Sequence, residues 1–109
     1  KYFLVPPNCC STVSIVGAQI SSLSQLYFLN GTLVGNRPLY VDSMNTYGIW
    51  FAGDEWFVGR ISDLNQGKLK YGYMQNDEFV NCPVESASWR EYYNSSWSIY
   101  EEITIDCHG

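Results

Sequence analysis

The chain has 109 residues, 46% of them hydrophobic and 17% aromatic, with only 16% charged and a net charge of −5. That length fits one domain, and a composition rich in aromatics and poor in charge is the reverse of a disordered one. Its six cations, Lys1, Arg37, Arg60, Lys68, Lys70 and Arg90, are too scattered to hold a nucleic acid or an anionic membrane.

The first residues stand apart from the rest. Tyr2, Phe3, Leu4 and Val5 form a compact apolar run, followed by Pro6-Pro7. Those prolines lack N–H donors and favour extended backbone, so residues 1–8 read as an overhang on a module that spans 9–109. No small-residue cleavage pattern accompanies the run, and the numbered chain reads as a mature or excised form. No apolar stretch reaches the ~20 residues of a membrane helix. A free apolar strand seeks a sheet edge, either in its own domain or in a neighbour. A head-to-tail contact of the second kind propagates as a filament unless its rotation closes a ring.

Cys9 and Cys10 come next, and Val13 and Ile15 alternate with Thr12 and Ser14 as in a half-buried strand. If that strand extends back, Cys9 faces the core and Cys10 faces out. With Cys82 and Cys107 the cysteine count is four, which predicts two disulfides and an oxidising, extracellular compartment. The pairing stays open. Both bridges are intrachain in one reading; in the other, the outward cysteine links a neighbouring subunit.

Short aromatic and β-branched runs follow at 25–29, 38–41, 47–51, 56–61 and 69–74, and Ile103, Ile105 and Cys107 alternate near the end. Asn30-Gly31, Gly35-Asn36, Gly53-Asp54 and Gln66-Gly67 supply turn chemistry, with Asn30-Gly31 a candidate primed hairpin turn. Residues 84–93 leave room for one short turn of helix. Turn signals about every ten residues predict an all-β fold, an antiparallel β-sandwich of jelly-roll type held by disulfides. Asn30-Gly31-Thr32 and Asn94-Ser95-Ser96 are N-glycosylation sequons, at Asn30 and Asn94.

Catalytic chemistry has little to work with. The lone histidine, His108, lies next to the last residue, so no positioned base exists for a nucleophile. Asp54-Glu55, Asp77-Glu78 and Glu101-Glu102 are sequence neighbours, which a strand sends to opposite faces rather than across one cleft. Asp63-Leu64-Asn65-Gln66-Gly67 begins like a calcium loop, but its glycine is misplaced and no closing bidentate glutamate follows. No catalytic residue, metal or cofactor is expected. Aromatics are the remaining resource. Trp50, Trp56, Trp89 and Trp97 are candidates for stacking on sugar faces, with core filling and subunit contact as the competing roles.

Gly35-Asn36-Arg37-Pro38-Leu39-Tyr40-Val41, Tyr47-Gly48-Ile49-Trp50-Phe51 and Trp56-Phe57-Val58-Gly59 follow one another closely, and Cys82-Pro83, Trp89 and Ile103-Thr104-Ile105-Asp106-Cys107 come later. This layout, covering Cys9 to Cys107, resembles an extracellular β-module of secreted proteins from diverse eukaryotes. It is also similar to the jelly-roll-like protomers of glycosylated extracellular fibrils joined through a terminal segment. The chain departs from the layout at Asn36 and in its doubled cysteine. Together these observations predict a secreted, non-enzymatic glycoprotein whose partners are copies of itself, joined head-to-tail through Tyr2 to Val5. The alternative is a carbohydrate-binding or adhesive module.

Overall fold

A computed structural model describes residues 9–108. Nine strands succeed one another: β1 (Thr12–Val16), β2 (Leu26–Val34), β3 (Arg37–Val41), β4 (Tyr47–Ala52), β5 (Glu55–Arg60), β6 (Met74–Asn76), β7 (Trp89–Tyr93), β8 (Ser96–Ile99) and β9 (Thr104–Cys107). One short helix, α1 (Ile61–Asn65), follows β5, and 3-10 turns occupy Ser21–Leu23 and Pro83–Glu85.

Two-residue turns dictate much of the topology. Gly35 and Asn36 both hold positive φ, as do Asn94 and Ser95, giving type I′ turns that match the strand twist. At Gly53-Asp54 only the glycine does so. Each such turn makes its flanking strands neighbours in the sheet. All pairings are antiparallel, in the order β8-β7-β6-β5-β4-β3-β2-β1-β9. The sheet curls into a half-barrel. The all-β, antiparallel, disulfide-linked expectation holds. The jelly-roll sandwich is not confirmed: a jelly roll uses crossovers between two sheets, and the strands here form one sheet laid down almost in chain order.

Asn30-Gly31 is not the expected hairpin turn. β2 runs straight through it, with a register irregularity between Leu29 and Leu33, and turns at Gly35-Asn36 instead. A turn at Asn30 would discard the pairing of Leu33 with Pro38 and Val34 with Arg37.

Alternation sends apolar residues to two separate cores. Val13, Tyr27, Tyr40, Ile49, Trp56 and Met74 share one cluster with Trp89 and Ile105; β1 and β9 lie far from β6 and β7 in the sheet order and meet them only inside its curl. Leu39, Trp50, Ala52 and Phe57 form a second cluster on the outer face, where Ile61 of α1 covers them. Trp50 and Phe51 point to opposite faces, as alternation requires, yet both are buried. Strands buried on both sides read as continuous apolar runs, which is what Ile49 to Ala52 and Trp56 to Val58 are. Truncating one of these rings to alanine costs roughly 3–5 kcal/mol.

Glu91 lies among the inner residues of β7, fully buried. Its two carboxylate oxygens accept the Gln19 and Ile20 N–H groups, each at 2.8 Å. The segment after β1 is thereby tied to the far side of the curl. A buried charge is tolerable only with such partners.

Candidate functional site: an open edge beside an aromatic cleft

β8 is one edge of the sheet. Its register against β7 sets Tyr93 opposite Ser96, Tyr92 opposite Trp97, Glu91 opposite Ser98 and Arg90 opposite Ile99. In a two-residue hairpin the closing pair is hydrogen-bonded and the pattern then alternates. Ser96 and Ser98 therefore bond to β7, and Tyr100 N–H, donating to Trp89 O at 3.3 Å, continues that series. The main-chain groups of Trp97 and Ile99 point away from the sheet, and no described strand pairs with them. All four residues of β8 are exposed, Ile99 by 56%.

The opposite edge is β9. Residues 100–103 alone connect β8 to β9, a reach of at most about 18 Å. The two edges therefore approach one another at that end of the half-barrel without pairing.

An aromatic cleft adjoins β8. Asp63, Lys70, Tyr71, Tyr73, Tyr92 and Trp97 surround a volume of about 380 Å³, with Gly72 in its wall. Tyr92 and Trp97 face one another across the hairpin, ring centroids 5.4 Å apart. Tyr71 is 59% exposed and Trp97 42%. Lys68 sits over the Tyr71 ring at 5.4 Å, and Arg60 Nε donates to the Tyr73 hydroxyl at 2.9 Å. Glycines bring this wall close to β5. A side chain at Gly72 would meet Val58 O at 2.6 Å, and one at Gly59 would meet the Gly72 backbone at 2.9 Å. Gly59 thus permits a close backbone approach, and it positions two of the cleft's tyrosines.

Of the four candidate stacking tryptophans, Trp97 alone presents its ring. Trp50, Trp56 and Trp89 are buried and are corrected to core residues. The Trp50 indole N–H donates to Leu69 O at 2.6 Å and that of Trp56 to Val80 O at 3.0 Å, so both rings are spent on architecture. Tyr71, Tyr73 and Tyr92 complete the cleft. Their separation in sequence hid them, although the Tyr71-Gly72-Tyr73 spacing is that of two residues on one strand face.

Cys9 bonds Cys82 and Cys10 bonds Cys107, leaving no free cysteine among the described residues. The alternative of an outward cysteine linking a neighbour is corrected: β1 begins at Thr12, and the pair before it splits between two partners of the same chain. Asn30 and Asn94 are both exposed, Asn94 at the tip of the β7–β8 hairpin. Tyr2, Phe3, Leu4 and Val5 lie outside the described residues. Asp63 to Gln66 belong to α1 and its end, with Gly67 at φ 82°. The short helical turn expected within 84–93 sits at Pro83–Glu85, and the rest of that stretch leads into β7.

Burial sets the local electrostatics. It pushes the Tyr40 phenol up to about 12, while its hydroxyl donates to Cys10 O at 2.6 Å beside the disulfides. Tyr27 is raised further, first by burial and then by nearby Asp42. The Ala87 N–H and the Ser86 hydroxyl hold Glu78 below the usual carboxylate range.

No family model, no curated protein and no solved structure matches this chain. Among the described residues no helix is long and apolar enough to cross a membrane.

Proposed function

We propose that this chain is a secreted, glycosylated, non-enzymatic structural subunit that assembles with copies of itself into extracellular filaments. Residues 2–5 of one copy add as a strand to β8 of the next. The outward main-chain groups of Trp97 and Ile99 carry this reading, because an unpaired edge is a template for a further strand. Tyr2-Phe3-Leu4-Val5 has the apolar, aromatic and β-branched composition that such a strand needs. Both disulfides being internal, the joint holds by main-chain hydrogen bonds and side-chain packing alone. Two different surfaces meet, so the assembly is heterologous and grows open-ended unless its rotation closes.

The cleft favours a second reading, a carbohydrate-binding module. Exposed rings at Tyr71, Tyr92 and Trp97 offer apolar faces, and Asp63 and Lys70 offer polar groups within the same 380 Å³.

Negative-stain electron microscopy of the secreted protein, untagged, separates the two. Regular filaments that vanish on deletion of residues 1–7, with the monomer still folded, are the expected result. Dispersed particles of monomer size, together with saccharide-dependent quenching of Trp97 fluorescence, would reverse the order of the readings.

A further inference from the structure

A second depression lies on the outer face. Asn30, Thr32 and Leu33 of β2, Val41 of β3, Leu64 of α1, and Leu69 line a groove of about 410 Å³. Its apolar wall is poorly covered: Leu33 is 56% exposed and Leu69 41%. Asn45 and Asn65 add two side-chain amides to the lining. Asn30 and Thr32 are also the first and third residues of a sequon, and both line the groove. The residue that would carry an N-linked sugar therefore belongs to the groove's own lining.

We infer that the glycan on Asn30 folds back into this groove, its first N-acetylglucosamine covering the leucine-rich wall. The acetamido methyl and the apolar face of the pyranose pack on Leu33, Leu64 and Leu69, and the Asn45 and Asn65 amides meet its hydroxyls. The tether decides the occupant. A covalently attached sugar is present at high effective concentration and gives up far less freedom on docking than a free ligand does. Asn94 provides the contrast, since it lines neither the cleft nor the groove, and its glycan extends from a hairpin tip. This inference rests on the glycosylation part of the proposed function.

The test uses the protein secreted from glycosylating cells, with intact mass establishing which sequons are occupied. An endoglycosidase then trims the folded protein to a single N-acetylglucosamine at each site. NOEs between the acetamido methyl on Asn30 and the methyls of Leu33 or Leu64 are expected, with none from the Asn94 sugar. Asn30→Asp should lower the melting temperature by about 4 °C or more, and Ser96→Ala, which removes the other sequon, should leave it unchanged. An unmodified Asn30 would overturn the glycosylation reading along with the inference. An occupied Asn30 without NOEs, or with a melting temperature indifferent to Asn30→Asp, would overturn the inference alone.

Discussion

Glu91 is a carboxylate placed where a strand of this sheet faces inward, and its stability depends on two backbone donors from the other side of the curl. Glu91→Gln retains one acceptor and turns an amide NH₂ toward an N–H. Hydrogen bonds to charged groups contribute about 1.5–3 kcal/mol, so a loss of that order should appear as a lower urea midpoint at unchanged slope. An unmoved midpoint would show that the Gln19 and Ile20 donors find other acceptors. The tyrosines make a pH argument at the same scale. Below pH about 10 Tyr40 is neutral in both folded and unfolded chains. Above that the unfolded chain ionises first, because burial holds the folded phenol to about 12. The stability that this group contributes is thus complete below pH about 10 and is lost as pH rises to about 12. Tyr27 shifts in the same direction. Phenolate absorbance should show two late-titrating tyrosines, and denaturation midpoints should fall across that window.

At the level of elements, the β7–β8 hairpin unites the edge, the cleft and a sequon. Ile99→Pro removes an N–H that points out of the sheet and leaves the bonds to β7 intact. The variant should fold with unchanged circular dichroism and fail to form filaments; filaments of normal yield would place the joint elsewhere. This hairpin was the least legible part of the sequence. Its turn requires positive φ at Ser95, a conformation serine seldom adopts, and Tyr92 and Trp97 look like any other aromatics until the register sets them opposite one another. Gly53-Asp54 was readable because two aromatic runs only four residues apart have no other way to connect. Asn30-Gly31 misled for the converse reason. Its local signal is strong, and two further pairs with β3, Leu33 with Pro38 and Val34 with Arg37, override it.

For the whole molecule, alternation and cysteine count conveyed the class, an antiparallel disulfide-linked β fold, but not how the sheet closes. One curled sheet and two stacked sheets present the same inward-outward pattern along each strand; they differ in which strands are neighbours, a long-range property. Glu91 escaped for the same reason, since a glutamate on a strand is assigned to solvent until an opposite wall supplies donors. The disulfides tie sequence separations of 73 and 97 residues. In the chain-entropy account, closing loops of that size stabilises by about 4–5 kcal/mol each. Replacing Cys10 and Cys107 with alanine should therefore lower stability by several kcal/mol, measured by guanidinium unfolding. Wild-type protein should migrate as a monomer on non-reducing gels, and covalent dimers there would revive the intermolecular bridge.

The Cys10–Cys107 bond also has a mechanical consequence. Tension entering at residue 9 and leaving at residue 108 passes from one cysteine directly to the other, and the chain between them, a sequence separation of 97, carries none of it. A chain of that length would otherwise pay out about 340 Å when pulled straight. With the bridge intact the domain behaves as a nearly inextensible link, its strands shielded from the pull at any force below that which breaks a covalent bond.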